Sequence, residues 1–211
     1  MSRIIPTIFA HNKKEFQERF AKLINTSKNI QIDFMDGKFV KDKSISLSQI
    51  PNLRRYNKNF EAHMMTLYPQ KRIPKLSRLG FKKFIFHISS VKKPEQVIQR
   101  ARNWNLSPWI AINPNISIKK VLPYLKQADG ILLMGVNPGK EHQSLIPSTY
   151  NKIKQLRKIN KKIKIQIDGG INFTTAKKLA NLKVNYLNSG SFIYNSLNPK
   201  KTIKQLNSFF K

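Results

Sequence analysis

The sequence predicts an α/β protein: eight parallel strands closed into a (β/α)8 barrel, in one domain spanning 1–211. Three observations lead there. Short, β-branched apolar runs occur eight times, with segments of helical period between them. The length, 211 residues, fits one such barrel without a second core. Six of the eight glycines fall late, at 130, 135, 139, 169, 170 and 190, as expected for the loops after strands six to eight of a barrel. The first strand is followed instead by Ala10-His11-Asn12, which lacks the glycine-rich turn of a doubly wound sheet.

The elements follow in order. Residues 4–9 form the first strand. Asn12 is a helix start signal, and 15–24 then place Phe16, Phe20 and Ile24 on one helical face. The second strand is 29–34. A short helix is expected over 47–53, although it carries a proline. Strand three is 60–65, followed by a short helix, 73–79, again with a proline. Strand four is 84–88, and Pro94 opens a helix over 94–104. Strand five, 108–112, leads to a helix over 118–126. Strand six, 130–134, precedes a helix over 150–159. Strand seven, 164–167, precedes a helix over 175–180, with Thr174 or Thr175 as its start signal. Strand eight is 185–188, and a last helix, 202–210, has Pro199 near its first turn.

Composition narrows the function. Cysteine is absent, which excludes disulfides, thiolate zinc sites and thiol catalysis. No apolar run approaches 18 residues, so no membrane partner is expected. The first ten residues are too weakly apolar for a signal peptide, and a cytoplasmic location is expected. Lys and Arg number 40 against 10 acids, a net charge of +30. The cations are scattered as pairs such as Lys13-Lys14, Arg54-Arg55 and Lys161-Lys162, with no basic tail or aromatic-studded stripe. That pattern implies a basic surface that attracts anionic substrates, with only weak, non-specific nucleic-acid binding.

The chemistry sits at two strand ends. Gln31-Ile-Asp33-Phe-Met-Asp36-Gly37 and Ile167-Asp168-Gly169-Gly170 each end a buried strand with a carboxylate. A buried, unpaired charge is costly, so such an Asp has a partner, a metal or a reaction. Two on different strands of one barrel are what a two-base proton transfer needs. Gln31 and Asp33, two apart, face the same way. His63 ends the neighbouring strand and completes an oxygen and imidazole set with Asp33 and Asp168. Structural readings stand beside these: Asp33 organising a loop, Asp168 serving a turn, His63 as a hydrogen-bonded core histidine. Asp36 reads as a turn residue, and His87 as lining the mouth.

The full string extends this. It runs Ile5-Pro-Thr7-Ile, the Gln31 to Val40 stretch, Ala62-His63-Met-Met65 and Phe86-His87. It continues with Ala111-Ile-Asn113-Pro114, Leu133-Met134-Gly-Val-Asn137-Pro138-Gly139, Ile167 to Asn172, and Ser189-Gly190-Ser191. In order and spacing it resembles the ribulose-phosphate 3-epimerase family. The resemblance implies interconversion of D-ribulose 5-phosphate and D-xylulose 5-phosphate in a pentose-phosphate reaction. Asp33 and Asp168 would be the two acid/base residues, with an enediolate stabilised by one divalent metal ion, Zn, Fe, Mn or Mg. Its ligands would be Asp33, His63 and Asp168. Gln31 is a doubtful fourth, because the family has histidine there. Substrate contacts would come from Thr7, His63, Gly139, Gly169, Gly170, Gly190 and Ser191. Met35, Met65 and Met134 would form an apolar cap, or else ordinary barrel packing. The run Gly139-Lys140-Glu141-His142-Gln143 departs from the family's glycine-rich loop: Glu141 would repel phosphate and Lys140 would offset it. A homo-oligomer is expected. The competing expectations are an epimerase for another ketose phosphate, and a weakened or non-catalytic phosphosugar-binding or basic interaction protein on the same barrel. Barrels that decarboxylate or condense sugar phosphates carry Asp-x-Lys-x-x-Asp; Asp33-Phe-Met-Asp36 has no Lys inside.

Overall fold

The computed structural model describes residues 2–210. Eight parallel strands, hydrogen-bonded in chain order, close into a barrel. They are β1 (Ile4–Ile8), β2 (Asn29–Met35), β3 (Asn59–Met65), β4 (Phe81–His87), β5 (Ser107–Ile112), β6 (Gly130–Met134), β7 (Lys164–Asp168) and β8 (Tyr186–Ser189). All eight expected strands are present, displaced by at most a few residues at their ends.

Strand alternation builds two cores. One set of side chains, including Ile30, Ile32, Phe34, Phe60, Phe84 and Phe86, points outward and packs under the helices. The alternate set fills the barrel. There Ile85, Trp109, Ala111, Leu132 and Met134 form a cluster of their own. The Trp109 indole needs the place a side chain on Gly130 would take: a β-carbon there would lie 2.5 Å from the ring. Lys83 Nζ stands 3.9 Å over that ring and pairs with Glu61 at 2.7 Å, so the barrel floor is closed by an aromatic ring and a buried ion pair.

Among the described residues, seven α-helices surround the strands: α1 (Lys13–Leu23), α2 (Ile73–Leu79), α3 (Pro94–Asn103), α4 (Ser148–Ile159), α5 (Phe173–Asn181), α6 (Ser191–Tyr194) and α7 (Pro199–Asn207). Asn12 caps α1, accepting from Glu15 N–H, and Pro94 and Pro199 stand in the first turns of α3 and α7. Two expected helices are absent. Residues 47–53 form no α-helix, only a 3-10 turn at Leu53–Arg55 after Pro51. Residues 118–126 break into two 3-10 turns, Ile118–Lys120 and Leu122–Tyr124, because Pro123 lacks the amide that would continue the helix. The cap of α5 is Asn172 rather than Thr174 or Thr175; Thr175 is the reciprocal partner in its capping box. No described helix is long and apolar enough to cross a membrane.

Candidate active site

The carboxyl ends of the strands surround a cavity of about 980 Å³. Thr7, Asp33, Met35, His63, Met65, Met134, Gly139, Asp168, Gly169, Gly170, Gly190 and Ser191 all line it. Gln31 does not; it is fully buried one layer beneath.

His63 Nδ1 lies 3.1 Å from Asp33 Oδ1 and 3.2 Å from Asp168 Oδ2, so one ring nitrogen faces both carboxylates. Register explains this: Asp33 pairs with His63 across β2 and β3, while Asp168 comes from β7 on the far wall. The other imidazole nitrogen is fixed from behind. His63 Nε2 is 2.9 Å from His87 Nε2, and His87 Nδ1 is 2.5 Å from Asn113 Oδ1. With the Asn113 oxygen accepting, His87 must carry its proton on Nδ1. Its Nε2 then accepts from His63 Nε2–H. The lone pair of a neutral His63 is thereby aimed at the carboxylates, where it needs a proton or a cation. His87 was expected to line the mouth; it is buried behind His63 and orients it.

The electrostatics follow. Burial raises Asp33 to about 6, its proximity to Asp168 acting in the same direction against the relief from His63. For His63 burial works the other way, but hydrogen bonds and attraction from Asp168 and Asp33 outweigh it and raise the imidazole to about 9. Burial and the neighbouring His63 charge hold His87 neutral, well below its ordinary value. Without a metal, the cation between the two carboxylates is therefore the His63 imidazolium.

Gln31 presents nitrogen, not oxygen, to this group. Its Nε2 donates to Asp33 Oδ1 at 2.9 Å and to Asp168 Oδ2 at 2.6 Å. Its Oε1 accepts from Asn188 Nδ2 at 2.6 Å and from Gln166 Nε2 at 3.4 Å. Gln166 is itself fixed, donating to Glu61 at 2.9 Å and accepting from Lys83 at 2.9 Å. The polar floor thus sets the sense of the Gln31 amide. Asn188 and Gln166 carry no expectation from the sequence, and Asn113 none beyond its place in the motif string. Only the period-two match of Gln166 to Asp168, and of Gln31 to Asp33, hinted at a shared face.

A divalent cation suits three of these side chains. Ligand atoms of Asp33, His63 and Asp168 lie within 4.8 Å of one another, all buried. An aimed imidazole lone pair between two carboxylates is a donor set for a hard or borderline ion. The fourth corner holds the Gln31 N–H groups, which cannot ligate. Two buried oxygens at the mouth lack any hydrogen-bond partner, Thr7 Oγ1 and Asn188 Oδ1. Both residues line the cavity, so a ligand there would satisfy them.

The glycine-rich rim is built by close packing. Gly169 and Gly170 have φ of +95° and +70°. A β-carbon on Gly170 would stand 2.5 Å from Leu145 N, and one on Gly169 would collide with Val136, so the loops after β6 and β7 interlock only through glycine. Asp36 is the turn residue expected, accepting from the amides of Lys38, Phe39 and Leu67.

Comparison with known proteins identifies the fold and the family. Solved barrels resemble the fold at low identity. The 3-hexulose-6-phosphate synthase from Salmonella typhimurium superposes with a TM-score of 0.73 at 14% identity, covering 99% of this chain and 98% of that one. KGPDC from Streptococcus mutans superposes with a TM-score of 0.76 at 13% identity, covering 99% and 97%. Sequence relatives are nearer. Ribulose-phosphate 3-epimerase of Schizosaccharomyces pombe is 27% identical over 216 residues, covering 100% of this chain and 95% of the relative. The enzyme of that name from Buchnera aphidicola subsp. Baizongia pistaciae is 30% identical over 203 residues, covering 92% and 89%. A rice relative, the cytoplasmic isoform, is 28% identical over 182 residues, covering 84% and 80%. The model of the Ribulose-phosphate 3 epimerase family matches residues 3–194, and the chain belongs to that family.

Proposed function

We propose that this chain interconverts D-ribulose 5-phosphate and D-xylulose 5-phosphate by inverting C3. The observation that carries the reading is the pair of buried carboxylates on opposite walls of one mouth, both facing His63 Nδ1. One carboxylate takes the C3 proton. The electron pair left behind moves toward the adjacent carbonyl oxygen. The other carboxylic acid delivers a proton to the opposite face, and the double bond returns to the carbonyl. Asp33, raised to about 6, is tuned for this exchange, since a base works best with its pKa near the working pH. Asp168 is the partner.

Asp33, His63 and Asp168 would hold one divalent ion, whose positive charge would stabilise the developing oxyanion. Gln31, donating to both carboxylates, restrains them from behind. Thr7 and Asn188 offer unpartnered oxygens to the sugar hydroxyls. Met35, Met65 and Met134 form the apolar side of the mouth, and the backbone at Gly139, Gly169, Gly170, Gly190 and Ser191 receives the phosphate. By analogy with the rice relative, a cytoplasmic location is proposed.

The test is a coupled assay of ribulose 5-phosphate to xylulose 5-phosphate on protein of known metal content. Turnover that is lost with chelator and restored by a divalent ion supports the reading; no turnover under any metal sinks it. The donor amide of Gln31 favours a second reading, the same reaction with a loosely held ion. Protein that purifies metal-poor but gains activity on adding metal would select it.

A further inference from the structure

We propose that Arg19 is a ligand of the substrate phosphate in this chain, and that Glu141 is the counter-ion it holds until that phosphate arrives. The inference rests on the phosphate-ester reading above. Arg19 projects from α1 and grips Glu141, 122 positions along the chain, with a two-pronged fork: Nη1 to Oε1 at 3.1 Å and Nη2 to Oε2 at 3.0 Å. Glu15, one turn earlier, accepts from Nη2 at 2.8 Å, and the guanidinium lies 4.8 Å from the centroid of the Tyr194 ring. The side chain is only 12% exposed.

Glu141 belongs to the loop after β6 and lines the mouth cavity together with Gly139, Gly170, Gly190 and Ser191. A β-carbon built on Gly190 would lie 3.4 Å from Glu141 Oε1. A carboxylate therefore already sits against the rim assigned to the phosphate, with its two oxygens on an arginine fork. A phosphate monoester offers the same two-oxygen edge with more negative charge and a third oxygen. The Arg19 Nε–H is buried without an acceptor, so the guanidinium still has a donor that the carboxylate leaves unsatisfied. Glu15 and Tyr194 keep the guanidinium in place when Glu141 swings away. Lys140, the offsetting cation expected from sequence, is exposed and not needed for this.

The experiment is calorimetric titration of the full chain with inorganic phosphate, alongside steady-state kinetics with ribulose 5-phosphate. Arg19→Gln should weaken phosphate binding about tenfold or more, the worth of a charge-assisted hydrogen bond, and raise KM similarly with kcat little changed. Arg19→Lys, which keeps the charge and loses the fork, should fall between. Glu141→Gln should tighten phosphate, because it removes the competing anion. Unchanged affinity in Arg19→Gln, or weakening by Glu141→Gln equal to that of Arg19→Gln, would overturn the proposal; the latter would mean that the pair only shapes the loop. If Arg19→Gln unfolds early, the Glu141→Gln and Arg19→Lys titrations decide alone. Phosphate binding needs no turnover, so the two readings fail separately. Arg19-dependent binding without epimerisation sinks only the reaction. Arg19-independent binding with normal epimerisation sinks only this proposal.

Discussion

At the scale of the residue, the site depends on which atom of each side chain faces inward. Asp33 and Asp168 are expected to act as the two acid/base groups. Asp168→Asn keeps the shape and removes the titratable oxygen, so kcat should fall about 10²- to 10⁴-fold with KM little changed. Near-normal turnover in that variant would remove Asp168 from the role. Gln31 directs two N–H groups at the carboxylates, so in this orientation it would compete with an ion rather than bind one. Gln31→His replaces a donor with a possible imidazole ligand and should tighten divalent-ion binding by about 10- to 100-fold, measured by titrating chelated protein with metal. Equal affinity in both proteins would show that the amide is no obstacle. Asp33, His63 and Asp168 were legible because each stands at the end of an apolar strand. The orientation of Gln31 was not, because Asn188 and Gln166, which decide it, lie 157 and 135 positions away. Nor was Arg19, whose partner Glu141 lies on a loop with no periodic signal.

At the scale of the element, strands were easier to read than helices. A barrel strand is buried on both faces and so appears as an uninterrupted apolar run such as Phe84-Ile85-Phe86 or Ile131-Leu132-Leu133. Helical period says only that a face is apolar. Over 118–126 the pattern survives, but Pro123 splits the segment into 3-10 turns that still bury Ile118 and Val121. The start of α5 shows how local chemistry holds the rim. Asn172 and Thr175 exchange side-chain and backbone hydrogen bonds, and the Thr175 hydroxyl also donates to Gly170 O at 2.9 Å. Asn172→Ala should therefore cost about 1 kcal/mol of stability and lower the melting temperature. It should also weaken substrate binding through Gly170, with little effect on kcat. An unchanged melting temperature would show that the cap is idle.

At the scale of the molecule, buried charge couples the site to stability. His63 keeps its proton to about 9 in the folded protein, above its ordinary 6.5, so its contribution is fully present below pH 6.5 and lost as pH rises through 9. Asp33, raised to about 6, has the same sign at lower pH. Protein kept in chelator should accordingly lose stability between pH 6.5 and 9, by up to about 3 kcal/mol, read as a falling urea midpoint. His63→Gln should flatten that slope; an identical slope would trace it to other groups. The closed floor has a different consequence. With Trp109 and the Lys83–Glu61 pair filling one end, the barrel is a well whose cavity opens at the carboxyl ends of the strands. Anything resting on Asp33, His63 and Asp168 would then pass through the mouth proposed for the sugar. An ion held there would then enter before the sugar and leave after the product. A saturating sugar phosphate should slow the stripping of bound metal by chelator in proportion to site occupancy, and stripping at an unchanged rate would reveal a second way out.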